Sequence, residues 1–241
     1  MSVSVRLFIA GTDTGVGKTA VGVHLARSAR ESGHRVAVMK PIASGAVRTG
    51  HGWRNEDALA LIEAAGGGAQ DATGYARVNP YCFEPPISPH LAARDAGVEI
   101  DIDALVAGAQ TLGRGQDLAI VEGAGGWLAP IDDDRTMADL AIALRYPVLL
   151  VVGLRLGCLS HAALTYRAIV AADLPFAGWV ANSIDPTFAR TEDNVRTLTH
   201  RLGAPPLARF EFAPPGTQPV PTDSRWVDRV VDSLAHPHHT P

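Results

Sequence analysis

Lysine is almost missing from this chain. Of its 21 basic residues only Lys18 and Lys40 are lysines, and the other 19 are arginines. A planar guanidinium fork and a compact ammonium do different jobs at a crowded phosphate, so codon bias alone leaves the two lysines worth following. Two cysteines, Cys82 and Cys158, are too few for a disulfide framework and lack the spacing of a metal site. Charged residues make up 19 %, below the roughly 25 % of an average soluble domain, and hydrophobic residues 46 %. That balance excludes a disordered, charge-rich chain. The apolar run Pro147–Leu154 covers eight residues, far short of the ~20 that span a bilayer. Met1–Gly11 lacks the apolar core and small-residue cleavage site of a secretory signal. The expected address is the cytoplasm. A net charge of −4 supplies no dense cationic surface for nucleic acid.

What is present alternates. Val3–Ala10 reads as a strand, Lys18–Ser32 as a helix stopped by Gly33, and Arg35–Met39 as a second strand. Ala119–Val121, Val148–Val152 and Phe176–Ala181 are continuous apolar runs, the pattern of strands buried on both faces. Cys158–Asp173 and Thr187–Leu202 read as helices. Alternating strands and helices predict an α/β fold, a doubly wound, mostly parallel sheet with helices on both faces. Residues 66–90, with three successive glycines and four prolines, read as an inserted loop within a single domain over 1–235. The histidine-bearing end, 236–241, reads as a frayed tail.

The strongest motif is Gly11-Thr-Asp-Thr-Gly-Val-Gly-Lys-Thr19, between a predicted strand and a predicted helix. Glycines there let backbone amides turn towards phosphate oxygens, and the helix N-terminus adds partial positive charge. Lys18 would reach the β- and γ-phosphates, and the Thr19 hydroxyl would ligate Mg²⁺. Five residues, not four, separate the first glycine from Gly-Lys-Thr, so this is a variant phosphate loop. A P-loop NTPase-like sheet binding ATP or GTP follows, but the loop alone does not name a reaction.

Lys40 follows a predicted strand, so it lands at the strand ends where the phosphate loop also sits. An ordinary exposed lysine would read the same way. Asp57 stands just inside a helix that Asn55 could cap, a position where acids also serve the helix dipole. Glu122 ends a buried strand and precedes Gly123-Ala-Gly-Gly126. It stands where nucleotide-hydrolysing sheets keep an acidic Mg²⁺ residue, usually Asp.

Taken in order, these segments resemble the dethiobiotin synthetase family. The resemblance is carried by the variant loop, Lys40-Pro-Ile-Ala-Ser-Gly45, Arg54-Asn-Glu-Asp-Ala-Leu59, Asn79-Pro-Tyr-Cys-Phe83 with Ser88-Pro-His90, and Val121-Glu-Gly-Ala-Gly-Gly-Trp127. It continues through Val151-Val-Gly153, Leu156-Gly-Cys158 and Gly178-Trp-Val-Ala-Asn182, and spans residues 5 to about 213. The resemblance implies a homodimeric, Mg²⁺-dependent ligase of biotin biosynthesis that joins CO₂ to 7,8-diaminononanoate. The products are dethiobiotin, ADP and phosphate. It implies Lys40 and Lys18 as catalytic lysines, and Thr19, Asp57 and Glu122 as metal ligands. ATP would further be held by Gly15, Val16, Gly17, Ala20, Gly123, Ala124 and Gly125. Asn182, Ser183, Glu211, Phe212 and Ala213 match the adenine side. Ser44 would contact the carbamate end of the diamine, and Gly157 and Cys158 its carboxylate tail across the dimer.

Two places depart from the family. Glu211-Phe212-Ala213 stands where relatives often show Pro-Trp-Leu, and Asn194 where some have Tyr. The alternative reading is a partitioning-type switch ATPase of the same fold, which usually adds a basic patch or an amphipathic terminal helix. Trp226–Ala235 is short and carries both signs. An amidoligase of cobalamin synthesis would need a glutaminase half, for which 241 residues leave no room.

Overall fold

The computed structural model describes residues 4–67, 72–214, 217, 219–223 and 225–235; the predicted tail, 236–241, lies outside them. The first part of the chain runs β1 Val5–Gly11, α1 Lys18–Glu31, β2 Val36–Met39, β3 Ile42–Ala43, β4 Val47–Thr49, β5 Gly52–Arg54, α2 Glu56–Ala64, α3 Ala72–Val78 and β6 Tyr81–Cys82. It continues with α4 Pro89–Asp95, α5 Ile102–Gly113, β7 Leu118–Glu122, α6 Met137–Leu144 and β8 Val148–Leu154. The last elements are α7 Cys158–Ala171, β9 Phe176–Ser183, α8 Thr191–Leu202, β10 Ala208–Phe210 and α9 Trp226–Ala235.

Six strands form one sheet in the order β10-β9-β8-β1-β7-β2, and every pairing in it is parallel. The chain therefore winds out to β2 on one side of β1 and to β8, β9 and β10 on the other. The switch at β1 opens a crevice at the carboxyl ends of the strands. Both faces are covered. Leu7, Ile9, Val38, Ile120, Leu149 and Val151 pack with α1, α2 and α9 through Val21, Leu25, Leu61 and Trp226. Phe8, Ala10, Val121, Leu150, Val152 and Trp179 face α5 to α8 through Leu105, Leu140, Ile169 and Leu198. Successive residues of each strand thus alternate between two apolar layers. This is why the strands read as unbroken hydrophobic runs.

Three expectations need correcting. The stretch 66–90 is not simply an inserted loop, because α3 and β6 lie inside it and β6 pairs in parallel with β3. Its glycines and prolines punctuate those short elements, while Tyr75, 3 % exposed, anchors α3 beneath α2. The helix expected from Thr187 begins at Thr191. Asp185 accepts from both the amide and the hydroxyl of Thr187, and that turn holds the chain out of the helix. The segment Trp226–Ala235, set aside as short, is a helix whose Trp226 and Val230 are fully buried against the sheet.

Candidate functional site

Strand register builds the site. In β7, Leu118 and Ile120 point to the α1 side of the sheet, so period two sends Glu122 the same way. In β2, Val38 faces that side and Met39 is paired with Val121. The next residues, Lys40 and Glu122, therefore come level on one face. β1 carries the chain past Ile9, the partner of Glu122, into the loop that turns into α1. Thr19, in the first turn of α1, then faces the same carboxylate.

The loop demands glycine at its end. Gly17 has φ +89°, and a Cβ there would stand 2.1 Å from Asn182 Nδ2. Asn182, from the end of β9, donates through Nδ2 to the Val16 carbonyl at 2.9 Å and so ties the loop to the sheet. Its Oδ1 is buried without a partner among the described residues. Asp13 accepts from the Thr14 amide at 2.7 Å and pairs with Arg155, which follows β8. Sequence reasoning assigned no role to either member of that pair.

Charge is concentrated and buried. Glu122 is 0 % exposed, Lys40 4 % and Lys18 6 %. Lys40 Nζ lies 2.5 Å from Glu122 Oε1 and 3.2 Å from Asp57 Oδ2, and the same Glu122 oxygen accepts from Thr19 Oγ1 at 2.8 Å. Burial opposes the charge of Lys40, but Glu122 and Asp57 outweigh it and hold its pKa above the ordinary lysine value. Burial likewise works against Asp57, and Lys40 with Thr19 overcomes it, so that carboxyl is held below its usual range. Among the described residues Lys18 has no carboxylate in direct contact. Its amine donates to the carbonyls of Asp13 at 3.0 Å and Gly125 at 2.6 Å. Burial, reinforced by Lys40, lowers its pKa from 10.5 to about 8.

These groups surround a cleft of about 340 Å³. Of the residues expected from sequence, Gly15, Gly17, Lys18, Thr19 and Lys40 line it. Ser44, Asp57, Glu122, Ala124 and Gly125 complete that set. Thr14, Ile42, Ala43 and Asn55 line it too and were not assigned there. Asn55 does more than cap: its side chain accepts from the Ala58 amide at 3.3 Å and donates to the Ser44 carbonyl at 3.2 Å, joining two walls.

The model of a family described as an AAA domain matches residues 5–220. The ATP-dependent dethiobiotin synthetase BioD of Xanthomonas axonopodis pv. citri (strain 306) is 45 % identical over 207 residues, 86 % of this chain and 91 % of that protein. The protein of the same name from Pseudomonas paraeruginosa (strain DSM 24068 / PA7) is 48 % identical over 203 residues, 84 % of this chain and 87 % of that one. The chain belongs to the dethiobiotin synthetase family. Among solved structures, chloroplast FtsY from Physcomitrella patens superposes with a TM-score of 0.48 at 18 % identity, covering 95 % of this chain and 66 % of that one.

The other expected residues lie around the cleft, not on it. Val16 and Gly123 are buried beneath the loop, and Ala20 is half-buried on α1. Asn182 and Ser183 end β9, and Phe210 pairs with Asn182, so Glu211, Phe212 and Ala213 continue outward from that level. Phe212 is 40 % exposed. Gly157 caps α7 with φ +96°. The Cys158 side chain sits in the core with its thiol pKa pushed up by burial. Asn194 spends its side chain on the Arg190 carbonyl at 2.9 Å.

Hard oxygen donors suit Mg²⁺. Thr19 Oγ1 donates to Glu122 Oε1, Asp57 stands across Lys40, and Glu122 Oε2 is buried without a partner among the described residues. Among the described residues no group of three or more His, Cys, Asp or Glu could hold a metal.

Proposed function

We propose that this protein is an ATP-dependent dethiobiotin synthetase that closes a cyclic urea from 7,8-diaminononanoate and CO₂, releasing ADP and phosphate. The observation that carries the reading is the meeting of both lysines with Glu122, Asp57 and Thr19 at one cleft beside a phosphate loop. The relatives' name, at 45–48 % identity over most of the chain, supports it.

The chemistry needs two anions, a carbamate and a triphosphate, to meet. Preorganised positive charge in a buried cleft lowers that barrier where water could not. Lys18 would reach the β- and γ-phosphates, and the amides of Gly15 to Thr19 would surround them. Lys40 lines the same cleft as Lys18 and Ser44, and the carbamate end of the diamine would lie beside Ser44. It holds the carbamate oxygen and the γ-phosphate together as the mixed anhydride forms. The second amine then attacks the anhydride carbonyl and phosphate leaves. Holding both amines in one cleft removes most of the entropic cost of ring closure. Mg²⁺, held by Thr19, Asp57 and Glu122, would neutralise charge on the phosphates. Asn182, with its free Oδ1, and Ser183 would read the adenine beside Glu211–Ala213.

We also infer a homodimer in which Gly157 and the Cys158 main chain bind the substrate's carboxylate tail. Leu156, 90 % exposed at the mouth of α7, and Leu164, 64 % exposed, are apolar side chains that such a partner would cover. Among the described residues no helix is long and apolar enough to cross a membrane, and we place the enzyme in the cytoplasm. The switch-ATPase alternative has no observation of its own to favour it.

The test is direct. The protein is incubated with Mg-ATP and bicarbonate, with and without the diamine, and ADP and a dethiobiotin-mass product are measured. Both should require the diamine, and Lys40→Ala should abolish product. Hydrolysis indifferent to the diamine, with no new product, would sink the reading.

A further inference from the structure

The catalytic lysine is not held by its own strand alone. Lys40 follows β2, and both polar groups of its main chain are taken up by the end of α3. Its amide donates to the Val78 carbonyl at 2.9 Å. Its carbonyl accepts from Asn79 Nδ2 at 2.6 Å, and the same Nδ2 donates to the Tyr81 carbonyl at 3.2 Å. Asn79 Oδ1 in turn accepts from the Tyr75 hydroxyl at 2.9 Å. That hydroxyl also accepts from the main-chain amide of Asn55 at 2.7 Å. The orientation of the Asn79 amide is fixed by chemistry, because two carbonyls can only accept and must face its NH₂.

Followed along its bonds, this relay joins two walls of the cleft. One end is the Lys40 carbonyl. The other is Asn55, whose side chain caps α2 and reaches Ser44, and α2 carries Asp57 in its first turn. The relay is buried: Asn79 is 2 % exposed and Tyr75 3 %. The Arg54 guanidinium lies 4.1 Å over the Tyr75 ring and closes its face. Neither Tyr75 nor Asn79 lines the cleft. If the space needed only filling, apolar side chains would serve without any demand for partners. Instead the Tyr75 hydroxyl and the Asn79 amide bond each other and three main-chain groups, the Asn55 amide and the Lys40 and Tyr81 carbonyls, and the hydroxyl also lies 3.5 Å from Cys82 Sγ.

We propose that Tyr75 and Asn79 are positioning residues that hold Lys40 in register with Asp57 and Ser44. The inference rests on the catalytic reading of Lys40 given above. A long lysine side chain works only if its root is fixed, and displacements near 1 Å at a reacting centre cost about a hundredfold in rate.

Tyr75→Phe removes one oxygen and leaves the Asn55 amide and Asn79 Oδ1 unpaired. Asn79→Ala frees the Lys40 carbonyl. Each variant, assayed below its unfolding temperature, is expected to lose about ten- to a hundredfold in kcat with KM for Mg-ATP within about threefold of the parent. A second readout is independent of the reaction. The chain has only two lysines, so acylation by acetic anhydride followed by peptide mass spectrometry compares Lys40 with Lys18 inside one molecule. Release of Lys40 raises the ratio of Lys40 to Lys18 labelling, whereas general loosening raises both together. An unchanged ratio, or a kcat that falls only with the folded fraction, overturns the proposal. Should Asn79→Ala not fold, Tyr75→Phe decides alone. If the parent makes no dethiobiotin while the ratio still rises, the synthetase reading falls and the positioning of Lys40 stands.

Discussion

Nucleotide binding should take up a proton in mildly alkaline solution, and Lys18 is the reason. In the free protein its amine is buried among carbonyls, and burial together with Lys40 brings its pKa from 10.5 to about 8. Phosphate oxygens placed against it favour the charged form and return the pKa to about the ordinary 10.5. At pH 8.5 the free protein then carries this proton in about a quarter of molecules and the complex in nearly all, so binding takes up roughly three-quarters of a proton. The sign follows. Uptake on binding means affinity falls as pH rises between the two values, and from pH 7.5 to 9.5 Kd should rise about twentyfold. Below pH 7 the dependence on this group fades, because both states are protonated. Calorimetric titration with a non-hydrolysable ATP analogue at pH 8.5, in buffers of different ionisation enthalpy, reads the proton count as a slope. Lys18→Arg is the control: a guanidinium stays charged throughout, so the slope should vanish even where affinity drops. A binding enthalpy independent of buffer, or a slope retained by Lys18→Arg, would refute the reasoning.

Glu122→Gln leaves Lys40 buried with only Asp57 for a counter-charge. It should cost about 3–5 kcal/mol in urea unfolding, as expected when one partner of a buried pair is lost. Gly17→Ala forces a Cβ into φ +89° and to 2.1 Å from Asn182 Nδ2, so fluorescent ATP-analogue binding should fall at least about a hundredfold while the sheet still folds. Lys40→Met, tested for the same nucleotide, should keep affinity within about tenfold of the parent, yet lower product formation by at least about a thousandfold. Arg155→Ala breaks a pair whose side chains are 40 % and 44 % exposed. The loss should stay below about 1 kcal/mol in thermal unfolding.

The central sheet was legible because its strands are buried on both faces and therefore announce themselves as unbroken apolar runs. The phosphate loop was legible because a tight anion-binding turn admits only glycine at positions such as Gly17, and that constraint is local in sequence. Lys40 and Glu122 could be placed at the crevice for a similar reason. Each follows or ends a recognisable strand, and parallel strands bring their carboxyl ends together. What could not be read was which face each side chain took. That depends on register, Met39 opposite Val121, and register is settled by packing of the whole sheet.

The residues that brace the site escaped for a different reason. Tyr75 and Asn79 lie in a stretch where glycine and proline dominate local statistics, so propensity reads loop. Yet α3 needs little propensity, because Tyr75 is buried beneath α2 and tied to Asn55, and Asn79 is tied to Lys40. Tertiary contacts outweigh the weak intrinsic preference of a seven-residue helix. A short helix of that kind has no reason to persist except the bonds it makes. Loss of those bonds should therefore show first at Lys40, not as general unfolding, which is what the ratio of labelling between the two lysines is designed to separate.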